Sequence, residues 1–285
     1  MRLCRFGAGR LGVVDGDSVR DVTAALDALP CYRYPLPCAD VFIAHLEALA
    51  PRIRVLAASA PALPLAGLTL LSPVANPGKL IAAPVNYQKH LDEVRADPNL
   101  HHQAPIPVIQ RAGLFLKATS SLAGPGEGIA LRKLDRRNDH EVELACVIGR
   151  RASHVSRDRA LEHVAGYTIG LDITIRGPEE RSLRKSPDTY SILGPWLVTP
   201  DEIDDPGQLG IRLSVNGSLR QSSNTSDLLL GIPELIEYAS SFYTLAPGDV
   251  IFSGTPEGVG PIRPGDVITA AIDGIGAMEV RVRAA

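Results

Sequence analysis

The sequence contains few aromatic residues and few lysines. Aromatics make up 5% of its 285 residues, and only five of its 29 basic residues are lysines. The formal net charge of −3 and a pI near 6.2 exclude the strongly basic surface that DNA- and RNA-binding proteins present. Hydrophobic residues, at 45%, are too abundant for a disordered chain. These values predict one large folded domain or two smaller ones, without a nucleic-acid partner.

Signals for export and for membrane insertion are also missing. The first ten residues, MRLCRFGAGR, lack the apolar core of a secretory signal. The stretch between Arg54 and Lys79 is uncharged, but Pro61, Pro64 and Pro73 interrupt it and would break a spanning helix. The four cysteines have no metal-type spacing, so we expect reduced thiols. The sequence therefore predicts a cytoplasmic protein with no membrane partner.

A glycine motif near the start resembles a dinucleotide-binding sequence. Residues 7–12, GAGRLG, match the pattern G-x-G-x-x-G. That pattern binds a pyrophosphate only where a strand precedes it and a helix follows it. Here residues 13–16, VVDG, predict a strand and a turn. We therefore interpret the motif as a glycine-rich hairpin.

The order of predicted elements is irregular. Apolar spacing predicts helices over residues 22–29, 41–50 and 233–242, and a further helix over 157–164 with Ser156 as its N-cap. The remaining chain is rich in strands: 80–83, 114–117, 142–148, 165–173, 211–215, 250–252, 267–272 and 279–282. Because strands and helices do not alternate regularly, we expect a mostly antiparallel or mixed β architecture. The proline-rich segment 61–77 predicts a boundary between a small N-terminal domain, residues 1–72, and a larger domain, residues 73–285.

An acidic cluster at the start of an apolar strand is the most informative feature. Residues 139–149 read DHEVELACVIG, and alternation along a strand places Glu141 and Glu143 on one face. Two like charges in such a position repel each other unless a cation lies between them. Asp172 interrupts a second apolar strand and is a third candidate ligand for a hard cation. From spacing alone, a solvated pair at a strand end and a helix-capping Asp remain an alternative.

A histidine and a glutamate form a second candidate pair. Residues 86–93, NYQKHLDE, predict a short helix on which His90 and Glu93 share a face. A carboxylate beside an imidazole orients it and raises its basicity, as a water-activating base requires. Considered alone, the pattern is weak, and an ordinary surface pair is the more common explanation.

Together these segments resemble the fumarylacetoacetate hydrolase family. The resemblance covers nearly the whole chain and continues with LFLKATSSLAGPGE at 114–127, KSPDTYSILGPWLVT at 185–199 and PGDVIFSGTPEGVGPIRPGD at 247–266, in family order. It implies an α+β, mainly β fold: a mixed β-sandwich roll with a small N-terminal α/β domain. It also implies a homodimer.

The resemblance also implies roles for individual residues. Glu141, Glu143 and Asp172 match the ligands of a divalent ion, Mg²⁺ or Mn²⁺, with Ca²⁺ as a third candidate. His90 and Glu93 match a water-activating dyad on a mobile lid, and Lys185 matches a catalytic lysine. Residues matching substrate contacts are Tyr87, Lys117, Arg176, Thr189 and Thr255. The chain departs from the family pattern at Pro84-Val85, Ala118 and Gly177-Pro178. These departures affect which subgroup of family substrates the enzyme is expected to use.

The reaction implied is metal-dependent cleavage of a C–C bond in a small 2-oxo or 1,3-dicarbonyl acid. Such hydrolases act on acylpyruvate-type substrates in the catabolism of aromatic compounds. The same site would also suit a decarboxylase or isomerase of 2-oxo diacids, such as oxaloacetate or 2-hydroxyhepta-2,4-diene-1,7-dioate, or a ureidoglycolate-type lyase. A non-catalytic metal-binding β module would not require His90, Glu93 and Lys185, so their presence favours an enzyme.

Overall fold

Twenty strands form the framework of the computed structural model, which describes residues 1–100 and 107–285. The strands are β1 Arg2–Phe6, β2 Arg10–Asp15, β3 Ser18–Asp21, β4 Ala62–Pro64, β5 Leu70–Leu71, β6 Leu80–Ala82, β7 Phe115–Lys117, β8 Leu122–Ala123, β9 Ile129–Leu131, β10 Asn138–His140, β11 Val142–Ile148, β12 Val164–Asp172, β13 Thr174–Ile175, β14 Ser191–Val198, β15 Gly210–Val215, β16 Ser218–Asn224, β17 Val250–Phe252, β18 Gly260–Pro261, β19 Val267–Ile272 and β20 Gly276–Ala284. The α-helices are α1 Val41–Ser59, α2 Gln88–Ala96, α3 Ile109–Ala112, α4 Arg181–Lys185 and α5 Ile232–Phe242. Short 3₁₀ helices span Thr23–Ala28, Thr119–Ser121, Arg157–His163, Pro200–Glu202 and Thr225–Asp227.

The strands are arranged in one large and two smaller sheets. The large sheet has the order β4-β3-β2-β1-β14-β12-β11-β17-β6-β7, with β5 beside β1 and β8 beside β14. A five-stranded sheet has the order β16-β15-β19-β20-β9, and a three-stranded sheet the order β13-β10-β18. Most pairs are antiparallel, whereas β8–β14, β6–β17 and β9–β20 are parallel. The predicted α+β, mainly β class with mixed strands is therefore confirmed.

Strand β11 is buried on both faces. Its residues Val142, Leu144, Cys146 and Ile148 belong to the larger hydrophobic core. The alternate residues Ala145 and Val147 belong to a second core, which also includes the apolar side chains of α1. A strand covered on both faces needs a nearly continuous apolar sequence, which explains the run after Glu143. Glu143 lies on the same face as Ala145, so this acid is enclosed by the structure around it.

The pairing of β11 with β12 brings the third predicted acid to the first two. Glu143 lies opposite Gly170 in the antiparallel register, and Asp172 is two residues further along on that face. The backbone N–H of Asp172 also donates to the carbonyl of Glu141, at 2.9 Å. A Cβ atom at Gly170 would lie 2.7 Å from the Phe252 ring, so glycine allows the close packing beside the acids.

The N-terminal glycine motif is a hairpin, as predicted. Strand β1 ends at Phe6, strand β2 begins at Arg10, and these two residues pair directly. Because a strand and not a helix follows the glycines, the motif lacks the helix N-terminus that a pyrophosphate requires. Strand β1 also pairs with β14, through Arg2 and Val198, so the N-terminal strands extend the large sheet. The division into domains 1–72 and 73–285 stays a prediction.

Helical segments differ from prediction in length and type. Helix α1 continues through Pro51 to Ser59, because Ile53 extends the buried face beyond the predicted end at residue 50. Asp40 caps its start by accepting from the N–H of Ile43 at 3.0 Å. The segments predicted as helices at 22–29 and 157–164 form 3₁₀ turns instead. The predicted Ser156 cap is wrong, since its side chain makes no capping hydrogen bond.

The uncharged segment after α1 is extended. It contains β4 and β5, and β5 pairs with β1. Within the described ranges, no helix combines the length and apolar character that crossing a membrane requires.

The cysteines are unpaired, as expected. Cys4 and Cys146 are buried, whereas Cys31 and Cys38 are exposed. Burial raises the pKa of the Cys4 thiol to about 12, so little reactive thiolate forms there near neutral pH. The expectation of reduced thiols is confirmed.

Candidate active site

Three buried carboxylates converge at one end of the β11–β12 pair. Glu141, Glu143 and Asp172 each place an oxygen so that the three atoms lie within 4.8 Å of one another. Their exposed fractions are 4%, 1% and 1%. Buried charges of one sign are unfavourable unless cations balance them. The site therefore combines oxygen ligands of the kind that hard divalent cations prefer.

Two lysines partly balance these acids. The Nζ atom of Lys185 donates to Glu141, Asp172 and Thr174, each at 2.7 Å. Lys117 donates to the other oxygen of Asp172 and to the backbone carbonyl of Tyr190. Burial lowers the pKa of Lys117 although the neighbouring Asp172 opposes this change. Both lysines of the predicted site thus hold Asp172 in place.

The two glutamates differ in their charge environment. Burial disfavours the charged form of Glu141, but Lys185 and Arg176 overcome this effect and hold its pKa below the ordinary value. Burial and then the charge of Asp172 raise the pKa of Glu143 well above its ordinary value. The N–H of Gly254, at 2.7 Å from Oε2, only partly opposes that rise. Glu143 therefore lacks a full positive counterpart, and the donor set fits a divalent cation.

The predicted histidine–glutamate pair lies beside the acids. His90 and Glu93 are one turn apart on α2, and Nδ1 of His90 is 2.8 Å from Oε2 of Glu93. The other oxygen of Glu93 accepts from the N–H of Gly258 at 3.0 Å. His90 is buried and lines the cavity that the three acids also line. With Nδ1 engaged, Nε2 is the ring nitrogen that remains for a water molecule or a substrate.

The cavity itself is small and mostly polar. Its volume of about 40 Å³ holds an ion with one or two waters, so the lining must open for a substrate to enter. Predicted site residues in its lining are His90, Glu141, Glu143, Asp172, Arg176, Lys185 and Thr255. Eight lining residues were not predicted as site residues, namely Ala83, Pro84, Val85, Val94, Leu100, Phe115, Arg181 and Arg184. The basic sequence RSLRK directly before and including Lys185 was a signal for the two arginines.

Besides Lys117, which contacts Asp172, two further predicted substrate contacts lie away from this lining. The hydroxyl of Thr189 accepts from the N–H of Ala130 at 2.8 Å, where it connects two backbone segments. Tyr87 is 1% exposed, and its hydroxyl has no hydrogen-bond partner among the described residues. Neither residue is among the described residues that line the cavity. Their contact with a substrate therefore stays a prediction.

Arg176 is bound to acids of the protein. Its Nε atom donates to Asp139 and its Nη2 atom to Glu141, both at 2.8 Å. Asp139 is fully buried, and the sequence did not single it out. Arg176 thus positions the ligand oxygen of Glu141, and a direct substrate contact stays a prediction.

Thr255 reaches the cavity from the loop after β17. Its hydroxyl accepts from Nε2 of Gln221 at 2.8 Å, and Oε1 of Gln221 accepts from the N–H of Val142 at 3.1 Å. Gln221 is fully buried on β16. This glutamine therefore connects the rim loop to the start of the acidic strand.

The predicted lid begins on α2 and includes residues 101–106, which lie outside the described residues. On its described part, α2 carries the dyad, and the carbonyl of Leu100 lies 3.4 Å from Nη1 of Arg176. The closing motion of this segment stays a prediction.

Comparisons with known proteins identify the family. The protein-family model described as fumarylacetoacetate (FAA) hydrolase C-terminal matches residues 79–283 of this chain. A maleylpyruvate hydrolase of Aquipseudomonas alcaligenes is 62% identical over 99% of both chains. A crystal structure of maleylpyruvate hydrolase from Sphingobium sp. SYK-6, in complex with manganese(II) and pyruvate, has a TM-score of 0.85 and 41% identity over 100% of this chain and 99% of that one. An oxaloacetate tautomerase of Xenopus laevis, described as mitochondrial, is 36% identical over 98% of this chain and 89% of its own.

The chain therefore belongs to the fumarylacetoacetate hydrolase family. Within that family it is an enzyme, a metal-dependent hydrolase that cleaves a C–C bond in a small 2-oxo acid of the kind met in aromatic catabolism. It binds a divalent metal ion, and its substrate is a small pyruvate-type molecule. The predicted family, reaction class and enzyme class are confirmed.

Proposed function

We propose that this enzyme hydrolyses maleylpyruvate to maleate and pyruvate. The observation that carries the proposal is the convergence of three buried carboxylates and the His90–Glu93 pair on one cavity. The 62% identical relative bears the name of this activity. The related structure that binds manganese(II) and pyruvate supports the pyruvate end of the substrate.

We assign the metal to Glu141, Glu143 and Asp172. Mn²⁺ is the first candidate because the related structure contains it, and Mg²⁺ and Ca²⁺ accept the same oxygen ligands. A divalent ion supplies Lewis acidity and a template for the oxygens of a 2-oxo acid. Lys185 and Arg176 hold the ligand oxygens of Glu141 in position by hydrogen bonds of 2.7 and 2.8 Å.

The dyad provides the base for hydrolysis. Nε2 of His90 takes a proton from water while Glu93 orients the ring and stabilises the imidazolium. The hydroxide attacks the carbonyl of the acyl part, the C–C bond breaks, and the electron pair leaves as the enolate of pyruvate. Lys185 stabilises the negative charge that develops, and His90 returns its proton to the enolate carbon. The reaction consumes one water and one acylpyruvate and forms two acids, and the proton taken from water is the one returned to the enolate carbon.

Tautomerisation of an oxaloacetate-type acid is a second candidate. The relative from Xenopus laevis is named for that activity, which forms an enolate without consuming water. The His90–Glu93 base can take a proton from water or from a substrate carbon, so it is the 62% identity to a maleylpyruvate hydrolase, against 36% to the tautomerase, that favours hydrolysis.

A substrate comparison separates the two reactions. The Mn²⁺-loaded enzyme is incubated with maleylpyruvate and with oxaloacetate, and the products are separated by chromatography. We expect equal amounts of maleate and pyruvate from maleylpyruvate, at a rate well above any change in oxaloacetate. Turnover of oxaloacetate alone, by tautomerisation or release of CO₂, would contradict the proposal.

We also propose that the chain forms a homodimer in the cytoplasm. Family resemblance supports the dimer, and the 62% identity to an enzyme of the bacterium Aquipseudomonas alcaligenes supports the compartment. Light scattering of the purified protein should give twice the 30.3 kDa chain mass. A monomer mass would contradict the dimer.

A further inference from the structure

More cationic side chains line the cavity than its acidic side chains bind. Arg176 is bound to Asp139 and Glu141, and Lys185 makes three hydrogen bonds within the acidic cluster. Arg184 donates to the carbonyls of Glu179 and Ile175 at 2.8 and 3.0 Å, which fixes the end of α4. These three side chains have structural partners.

Arg181 differs from the other three cations. It lines the cavity at the first residue of α4, and its guanidinium makes no hydrogen bond or ion pair within the described part of the chain. The carboxylate of Glu180 accepts from the N–H of Ser182 at 2.7 Å and forms no ion pair with its neighbour. Burial lowers the pKa of Arg181, as expected for a desolvated charge without a close counterion.

An aromatic ring connects Arg181 to the acidic cluster. The guanidinium carbon lies 5.2 Å from the centre of the Phe115 ring, and Nζ of Lys185 lies 5.7 Å from the same centre. Lys185 in turn touches Glu141 and Asp172. A substrate whose 2-oxo acid end lies at the acids can therefore extend along Phe115 until its other end meets Arg181.

We propose that Arg181 binds the distal carboxylate of the substrate and thereby selects acylpyruvates with a second acid group. The inference rests on the proposed function and specifies its substrate class. A planar guanidinium pairs with a carboxylate through two parallel hydrogen bonds, which a lysine cannot reproduce. A partly desolvated arginine without a partner gains most from such a ligand.

The test compares two substrates that differ in this group. Maleylpyruvate has a distal carboxylate, whereas acetylpyruvate ends in a methyl group. We expect Arg181→Met to lower kcat/KM for maleylpyruvate about a hundredfold, mainly through KM, and to change acetylpyruvate turnover by no more than about twofold. Arg181→Lys should lose about tenfold on maleylpyruvate. Arg157→Met, an exposed arginine outside the lining, serves as the matched control.

Equal losses on the two substrates would show that Arg181 only supports Phe115, and would overturn the inference. Unchanged kinetics on maleylpyruvate would overturn it as well.

A binding measurement keeps the inference separate from the proposed function. Calorimetry of the Mn²⁺-loaded protein compares 2-oxoadipate, which has a distal carboxylate, with pyruvate, which has none. We expect Arg181→Met to weaken 2-oxoadipate binding about a hundredfold and to leave pyruvate binding unchanged. If no acylpyruvate is hydrolysed but this difference is found, the proposed function fails and the inference stands. If the difference is absent, the inference fails whatever the enzyme hydrolyses.

Discussion

The two ends of the β11–β12 pair have opposite character although they belong to the same strands. At one end Glu143 and Asp172 are buried as charges within a small cavity. Further along, Leu144 pairs with Ile169 and Cys146 with Tyr167, and all four side chains are buried in the apolar core. The first end holds like charges close together, and the second excludes charge entirely.

Within this one pair of strands, the core end contributes to the stability of the fold and the cavity end to the chemistry of the site. Burial of apolar side chains stabilises the fold at the core end. At the cavity end, charged Glu143 opposes folding because burial and Asp172 raise its pKa, whereas Lys185 and Arg176 stabilise charged Glu141. Such a cluster is compatible with folding only where the surrounding structure holds it, and it is the kind of arrangement found at functional sites. Substitutions at the two ends should therefore affect different measured quantities.

Removal of the metal should have the largest effect on the cavity end. We expect exhaustive chelation with EDTA to lower the rate of acylpyruvate hydrolysis by at least about a thousandfold, because the Lewis acid is lost. The measurement is the initial rate before chelation, after it, and after Mn²⁺ or Mg²⁺ is added back. Recovery with the ion controls for unfolding. Full activity in the chelated enzyme would contradict the metal assignment.

Replacement of the base should have the next largest effect. His90→Ala should lower the rate about 10²–10⁴-fold, the usual contribution of a general base. Metal affinity, measured by calorimetry, should not change, because His90 is not among the three proposed ligands. His45→Ala on α1, outside the cavity lining, is the matched control and should retain activity. If hydrolysis survives His90→Ala while metal affinity collapses, the histidine is a ligand and not the base.

At the core end, truncation should affect stability. Leu144→Ala should lower the free energy of unfolding by about 2–5 kcal/mol, since it leaves a cavity between packed side chains. The folded fraction should keep its kcat. Leu219→Ala, at a leucine that is 61% exposed, should change the free energy of unfolding by less than about 0.5 kcal/mol. Urea denaturation of both variants measures the difference, and equal midpoints would show that the core end is not the stabilising one.

The smallest effect should be a gain in stability at the cavity end. Glu143→Gln keeps the shape of the side chain and removes a charge that burial and Asp172 disfavour. We expect the metal-free variant to be more stable than the wild type by about 0.5–2 kcal/mol, while its Mn²⁺ affinity falls. Thermal unfolding without metal and calorimetry with it measure the two changes. A clear loss of stability would mean that Lys185 and Gly254 already balance Glu143.

Local patterns in the sequence predicted much of the fold. The continuous apolar run predicted β11, and the period of two along a strand placed Glu143 on one face with Ala145 and Val147. The hairpin in place of a dinucleotide motif followed from turn chemistry. Helix lengths and types were less predictable. Helix α1 continues past Pro51 because Ile53 is buried, and two short segments predicted as helices form 3₁₀ turns.

The sequence by itself determined which residue types the site contains, because ligand and base chemistry require particular side chains and these occur in ordered motifs. Only the tertiary structure decided which of them meet. Asp172 reaches Glu141 through strand register, Arg176 is bound by Asp139, and Arg181 contacts the Phe115 ring but makes no hydrogen bond or ion pair within the described residues. Thr189 lies instead against Ala130. The physical reason is that spacing along a chain fixes faces and turns over a few residues, whereas contacts between distant segments depend on register and on packing between layers.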